Sequence, residues 1–237
     1  MSTIVKSVVV TGASRGIGKA IAMAFAAQGH QLFLCARGEE GLKKLSAEIT
    51  SQYPQSKVHY KAVDLSKKEE AIEFSRWCLS YVEPDILINN AGVYLMGSLI
   101  DEKDGQLESQ LNTNLLSAYY VTKTLLPDMI QRGAGHIFNI CSIASLSPYP
   151  SGSSYSITKY ALHGYTQNLR EELKPKGIKV TGVYPGATMT DSWGDFDNAK
   201  ARIMEPTDVA SMIVAASSLS IQACVEEIVL RPVLGDL

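Results

Sequence analysis

Tyr155 and Lys159 combine residue types and a spacing that suit acid–base chemistry. Residues four apart on a helix share a face, so the two side chains are expected to lie together. A free tyrosine has a pKa of about 10 and is a weak proton donor or acceptor at neutral pH. An ammonium group beside it favours the phenolate, so we expect Lys159 to lower the pKa of Tyr155. This pair could exchange a proton with a substrate oxygen.

The same spacing occurs twice more, in the pairs Tyr53/Lys57 and Tyr119/Lys123. Pro54 directly follows Tyr53 and disfavours a helix there. The second tyrosine lies in the middle of a predicted helix, with no serine after a strand nearby. Tyr155, in contrast, opens the predicted helix 153–173, and Ser142 lies at the end of the preceding predicted strand. The pair Tyr155/Lys159 is therefore the catalytic candidate.

A second candidate site is the stretch 11–18, TGASRGIG, between the predicted strand 4–10 and the predicted helix 19–28. The first N–H groups of a helix have no partner within the helix, and the helix dipole adds positive charge there. Glycines let a phosphate approach the backbone, which a Cβ would block. The stretch predicts an anion site, with the Ser14 hydroxyl on the phosphate side.

Residues 12–16 also match G-x-S-x-G, the nucleophile elbow of α/β-hydrolases. That chemistry needs an acid and then a histidine late in the chain. The histidines are His30, His59, His136 and His163, so none lies in the last third. The elbow should also follow several strands and not the first one. A hydrolase is therefore disfavoured.

Composition narrows the class of protein. The chain has 237 residues, of which 46% are hydrophobic and 19% are charged, and this length and composition favour one α/β domain. The net charge of -2 gives no signal for nucleic-acid binding. The widely spaced cysteines Cys35, Cys78, Cys141 and Cys224 suit reduced thiols better than disulfides or a zinc site, and no metal-ligand cluster is evident. No apolar run reaches the about 18 residues of a membrane span, and no signal peptide is evident, so a cytoplasmic location is expected.

Strand and helix patterns alternate along the whole chain. Strands are predicted at 4–10, 31–36, 57–63, 85–88, 136–141, 178–184 and 225–230. Helices are predicted at 19–28, 39–52, 67–82, 106–131, 153–173 and 207–218, the last capped by Thr207. Repeated βα units predict a Rossmann-type doubly wound parallel sheet of about seven strands with helices on both faces, as one domain, 1–237. Ligands bind such sheets at the carboxyl ends of the strands.

The sequence resembles the short-chain dehydrogenase/reductase family over nearly its whole length. The residues that carry the resemblance are TGxxxGxG at 11–18, Asp64, NNAG at 89–92, Asn114, Ser142, YxxxK at 155–159, and Pro185-Gly186 followed by Thr190. The resemblance implies reduction of a carbonyl, or the reverse oxidation of an alcohol, by hydride transfer with a nicotinamide cofactor. In it, Ser142 would bind the carbonyl oxygen, Asn114 would hold a relay water, and Lys159 would also bind the nicotinamide ribose.

The resemblance also assigns the dinucleotide site. Its residues are Gly12, Ser14, Arg15, Gly16, Ile17, Gly18, Arg37, Asp64, Leu65, Asn90, Ala91, Gly92, Tyr155, Lys159, Pro185, Gly186, Thr188 and Thr190. Members that prefer NAD end the second strand with an acidic residue, whereas here Ala36 and then Arg37 stand there. Two guanidinium groups, of Arg15 and Arg37, suit a 2′-phosphate, so NADP(H) is the expected cofactor.

We expect a lid at 189–206 to select the substrate. This segment carries Trp193 and Phe196 among Asp191, Asp195 and Asp197. The alternative is a solvated acidic loop. The residues 185–187 with 193–194, and 225–232 with 235–236, resemble bacterial sepiapterin reductases, in which a carboxylate can anchor the pterin. Asp236 is a candidate for this role by position, and a frayed terminal residue is the alternative.

Other substrates and assemblies remain open. A 3-oxoacyl-carrier-protein reductase is the alternative enzyme, and an NADP(H)-binding regulator is the alternative that is not an enzyme. The family resemblance implies a small-molecule carbonyl or alcohol substrate, and a homodimer or homotetramer formed through helices 106–131 and 153–173.

Overall fold

The computed structural model describes residues 5–149, 152–194, 196–198 and 201–236. In these residues the strands are β1 (Ser7–Thr11), β2 (Gln31–Ala36), β3 (Val58–Ala62), β4 (Ile86–Asn89), β5 (Gly135–Ile140), β6 (Ile178–Pro185) and β7 (Glu227–Leu230). All run parallel, in the order β3-β2-β1-β4-β5-β6-β7. The predicted doubly wound sheet is confirmed. The strand order reverses between β1 and β4, where such folds open a crevice for ligands.

Helices cover both faces of the sheet. They are α1 (Gly16–Ala27), α2 (Glu39–Gln52), α3 (Lys68–Leu79), α4 (Gln106–Leu111), α5 (Ser117–Arg132), α6 (Ser153–Leu173) and α7 (Pro206–Ser217). Side chains alternate across a strand, so Val8 and Val10 of β1 face one side and Val9 the other. The first side packs with Phe25 of α1 and with α2 and α7. The second packs with Phe74 of α3 and with α5 and α6.

The predicted long helix 106–131 is wrong as a single element. A π-helical turn, Asn112–Leu116, separates α4 from α5. A π-turn inserts one residue and shifts the hydrophobic stripe by one position, but the chain stays helical on both sides, so the sequence pattern was interpreted as one continuous helix. Such turns are frequent at functional sites, and this one carries Asn114.

Several element ends differ from their predicted positions. The first helix begins at Gly16, inside the glycine stretch, and not at Lys19, because that stretch itself supplies the first turn. The last helix begins at Pro206 and not after Thr207, because Glu205 takes the N-cap position and its N–H donates to Asp208 Oδ2 at 3.0 Å.

The predicted strand residue Ile4 and the predicted lid residues 195, 199 and 200 lie outside the described residues. In the part of the chain that is described, no helix is long and apolar enough to span a bilayer.

Candidate active site

A cleft of about 650 Å3 lies where the strands end on their carboxyl side. Its lining includes almost every residue that the sequence singled out. These are Gly12, Ser14, Arg15, Gly16, Ile17, Gly18, Arg37, Asp64, Leu65, Asn90, Ala91, Gly92, Ser142, Tyr155, Lys159, Pro185, Gly186, Thr188, Thr190, Trp193 and Asp236. Asn114 lies behind the lining and not in it. The fold thus gathers residues from the whole chain around one cavity.

The glycine turn forms a cradle of backbone at one end of the cleft. Gly12 has a φ of +65°, in the left-handed region that glycine adopts without strain. Asn90 Nδ2 donates to the carbonyls of Thr11 (2.9 Å) and Gly12 (3.1 Å) and so fixes the turn. A Cβ on Gly18 would collide with the Gly12 carbonyl and with Asn90 Nδ2. Backbone therefore lines the cradle at the α1 N-terminus, and this arrangement fits the pyrophosphate of a dinucleotide.

Two charged residues flank the cradle at the predicted adenosine end. Arg37 is exposed at the rim. Arg15 pairs with Asp191 of the predicted lid at 3.2 Å, with 66% and 58% of the two side chains exposed. An acid from the segment after β6 thus contacts Arg15, and the role of Arg15 at a 2′-phosphate stays a prediction. Partial burial would raise the pKa of Asp64, but hydrogen bonds from Ser66 outweigh it and lower that pKa.

Asn114 has a full set of partners. Its Nδ2 donates to the Val93 carbonyl (3.0 Å) and to Thr158 Oγ1 (3.0 Å), and its Oδ1 accepts from the Val93 N–H (2.7 Å). Both donors of the amide are therefore in use. The side chain joins the segment after β4 to helix α6, and the expected relay water would have to bind an acceptor lone pair at Asn114.

Lys159 lies beneath Tyr155, almost fully buried. Its Nζ donates to the Ile140 carbonyl at 2.8 Å and lies 5.7 Å from the centre of the Tyr155 ring. Burial lowers the pKa of Lys159 to about 8. Burial also raises the pKa of Tyr155, against a hydrogen bond from Ser142 that lowers it. The expectation that Lys159 brings down the tyrosine pKa is not met in this structure, because desolvation has the largest effect on Tyr155 and the Ser142 hydrogen bond, not Lys159, opposes it. Tyr155 therefore keeps its proton at neutral pH.

Ser142 is oriented by the turn that follows it. It has an extended backbone and caps the short 3-10 helix Ile143–Ser145, its Oγ accepting from the Ala144 N–H at 3.1 Å. A hydroxyl that accepts in this way still has its own proton to donate. The Ser142 hydroxyl is therefore directed toward Tyr155 and the cleft, where it can stabilise charge on an oxygen.

Two tyrosines that the sequence analysis missed form a wall beside Tyr155. The Tyr94 ring meets the Tyr155 ring at 5.0 Å and 76°, and Tyr149 meets Tyr94 at 6.0 Å and 69°, both edge-to-face. A Cβ on Gly152 would come within 2.8 Å of the Tyr149 ring. Burial raises the pKa of Tyr94 to about 12, so it is a neutral donor. The one available signal was the position of Tyr94, two residues after the NNAG motif at the end of β4.

Asp236 belongs to the cleft and is not a frayed end. Arg231 pairs with its Oδ2 at 2.5 Å, and Arg202 donates to the Gly235 carbonyl at 2.8 Å, so the tail folds back. Asp236 Oδ1 is buried against Gly186 and has no hydrogen-bond partner among the described residues.

Trp193 is half-buried and packs on Phe196, with ring centres 5.2 Å apart. Within the described residues, no group of three or more His, Cys, Asp or Glu could hold a metal ion.

Comparisons with known proteins agree with this geometry. The family model for short chain dehydrogenase matches residues 6–201. An uncharacterized oxidoreductase of Staphylococcus aureus strain MRSA252 is 33% identical, over 96% of this chain and 97% of its own. A metagenomic short-chain oxidoreductase solved with NADP has a TM-score of 0.85 at 31% identity, covering 96% of each chain. An alcohol dehydrogenase of the archaeon Thermococcus sibiricus, solved with 5-hydroxy-NADP, has a TM-score of 0.90 at 30% identity, covering 97% of each.

Proposed function

Because the chain belongs to the short chain dehydrogenase family of oxidoreductases, we propose that it reduces a small-molecule carbonyl to an alcohol with NADPH. The observation that carries this proposal is the meeting of Ser142, Tyr155 and Lys159 in one cleft with the glycine cradle. A regulator that only senses NADP(H) would not need a buried lysine beneath a protonated tyrosine. Burying an ammonium costs free energy, and such a cost is typical of catalytic sites.

The bound cofactor would supply a hydride, while residues of the protein donate the proton and stabilise the developing negative charge. Ser142 donates a hydrogen bond to the carbonyl oxygen and stabilises the negative charge that develops there. Tyr155, protonated at neutral pH, donates its proton to the same oxygen. The Lys159 ammonium then lies 5.7 Å from the ring that has become a phenolate, and their attraction favours this step.

Several features support NADP(H) over NAD(H). The second strand ends without an acid, at Ala36, and the guanidinium groups of Arg15 and Arg37 line the cleft at this end. Two relatives with solved structures bind NADP or a derivative of it. Measured kcat/KM values with the two cofactors test the assignment. NADPH should be preferred at least about tenfold, since each bidentate arginine–phosphate contact is a strong charged interaction; equal values would overturn it.

Tyr155→Phe tests the reaction itself. Removing the hydroxyl should lower kcat by about 10²- to 10⁴-fold while the Kd for NADPH changes less than about twofold, because the phenol acts mainly in proton transfer and the glycine cradle supplies most of the cofactor contacts. Tyr160→Phe, an exposed tyrosine of the same helix, is the control and should keep full activity. Unchanged turnover would remove Tyr155 from the mechanism. A native protein that binds NADPH but reduces no carbonyl would support the regulator.

A pterin side-chain ketone is the substrate candidate that one further observation favours. Asp236 Oδ1, a buried acceptor with no partner in the part of the chain that the structure describes, could receive a hydrogen bond from an amino group or ring N–H. NADPH consumption with sepiapterin, diacetyl and a 3-oxoacyl thioester should rank sepiapterin first. Asp236→Asn should then lower kcat/KM for sepiapterin and spare diacetyl, which has no such donor. Preference for the thioester would instead support the 3-oxoacyl reductase.

We also propose that the chain forms a homodimer or homotetramer through the helices α4, α5 and α6. Exposed apolar residues on these helices support it. Tyr119, Ile157 and Tyr160 expose 37%, 48% and 45% of their surface. Light scattering should give two or four chains per particle, and a monomeric mass would contradict the proposal.

We expect fractionation of the host cell to recover the protein with the cytoplasm.

A further inference from the structure

We propose that Glu102 is a positioning residue for Tyr155. Its carboxylate binds the first turn of α6 and holds the tyrosine in place for proton transfer, so the inference rests on the proposed carbonyl reduction. Glu102 Oε1 accepts from the Ser154 N–H at 2.8 Å, and Oε2 accepts from the Ser154 hydroxyl. Ser154 directly precedes Tyr155 in the chain, and only 1% of its surface is exposed.

The start of α6 depends on this contact. The first N–H groups of a helix need partners from outside the helix, and Gly152, the N-cap residue, has no side chain to supply one. Glu102 satisfies one of these donors with a charged acceptor, and charged hydrogen bonds are stronger than neutral ones. A negative group is also favoured by the positive end of the helix dipole. Glu102 therefore does from a distant segment what a capping side chain does locally.

The segment that carries Glu102 is attached to catalytic elements at both ends. At its start, the backbone of Val93 makes two hydrogen bonds with Asn114. Further on, Gly97 pairs with Gly152 in a parallel bridge just before α6. A Cβ on Gly97 would lie 3.0 Å from Glu102 Cγ, so the chain passes close to this side chain. The segment 93–102 thus spans from the π-turn to the catalytic helix.

Loss of the carboxylate should loosen the first turn of α6 and displace the phenol. A misplacement of about 1 Å can cost a large factor in rate, even when the group itself remains present. Binding of the cofactor depends mainly on the glycine cradle, which lies on other elements. The effect should therefore fall on proton transfer and not on NADPH affinity.

The test compares Glu102→Ala and Glu102→Gln with the control Asp101→Ala, with diacetyl as the probe ketone. Asp101 is adjacent, and its carboxylate contacts Ser98 within its own segment. We expect Glu102→Ala to lower kcat about tenfold and to raise the solvent isotope effect on kcat, with the Kd for NADPH unchanged. Glu102→Gln can still accept from the Ser154 N–H, so it should recover most of the rate. The control should match the native enzyme.

Hydrogen exchange gives a readout that does not need turnover. In Glu102→Ala the amides of residues 154–156 should exchange faster, while those in the middle of α6 stay protected. A lower kcat with an unchanged isotope effect and unchanged exchange would overturn the proposal, as would equal losses in the Asp101 control. Failure of the native enzyme to reduce any ketone would count against carbonyl reduction, whereas the exchange data would still decide whether Glu102 holds the helix.

Discussion

The two ends of the cleft are built from different kinds of contact. At the cofactor end, the backbone of the β1–α1 turn meets the residues after β4, and Asn90 and Thr11 lock the two together. At the substrate end, side chains from distant segments meet one another. Asp191 pairs with Arg15 of the cofactor end, and the tail carrying Asp236 is folded back by Arg231 and Arg202. The difference is one of contact type and exposure, because backbone groups form the cofactor end, whereas Asp191 and the cleft residue Met96, 73% exposed, leave most of their side chains open to solvent.

This contrast indicates how each end can change. A cradle made of backbone and missing Cβ atoms tolerates almost no substitution, whereas exposed side-chain pairs contribute little free energy each. The cofactor end is therefore expected to be rigid and the substrate end adaptable. The following predictions test this contrast.

The largest effect is expected for Gly18→Ala. The new Cβ would collide with backbone at Gly12 and with the Asn90 amide, neither of which can move cheaply. We expect a loss of about 1–3 kcal/mol in the free energy of unfolding and at least about tenfold weaker NADPH binding. Denaturant titration and cofactor fluorescence measure both. Gly38→Ala is the matched control, because that glycine also lines the cleft yet has open space around it; equal losses in the two variants would contradict a rigid cradle.

A change of intermediate size is expected in the pH profile through Lys159. Reduction needs the protonated amine, so kcat/KM should fall as pH rises through about 8, the lowered pKa of Lys159. Lys159→Arg keeps its charge at every accessible pH, so this alkaline limb should move upward even if the rate is lower. A native profile that stays flat across this region would show that the amine charge is not required.

The same group should affect stability with the opposite sign. The unfolded lysine titrates near pH 10.4, above the folded value, so the unfolded chain binds more protons in the interval between them. Stability contributed by this residue should therefore rise as pH increases from about 8 toward 10. Comparing urea midpoints of the native chain and Lys159→Met across that interval isolates the contribution.

The smallest effect is expected for Asp191→Asn. The Arg15–Asp191 pair is largely exposed, and such pairs contribute about 0–1 kcal/mol. Releasing Arg15 for the cofactor should tighten NADPH binding at most about threefold and leave NADH binding unchanged. Titration at low and high salt should show the gain shrinking as charge is screened. A gain above tenfold would show that the substrate end restrains the cofactor end far more than the exposed pair suggests.

Much of the fold followed from the sequence because each element carries a local pattern. Val8 to Val10 predict a buried strand wherever they occur, and the alternation of strands with helices leaves few parallel arrangements. Local patterns were less informative at element ends. The π-turn at Asn112–Leu116 lies inside a continuous helical stretch and shifts its hydrophobic face by only one residue, and the cap at Glu205 uses a residue that seldom takes that position.

The sequence alone predicted the chemistry of the cofactor end, because residue types and short spacings encode it. A glycine turn between a strand and a helix can hold a phosphate, and a tyrosine four residues before a lysine shares a helix face with it. The tertiary structure alone decided the electrostatics and the substrate end. Burial, which depends on every neighbour, raises the pKa of Tyr155 although Lys159 lies only 5.7 Å from the centre of its ring. Contacts such as Glu102 with Ser154 join residues about fifty apart, and no local pattern records them.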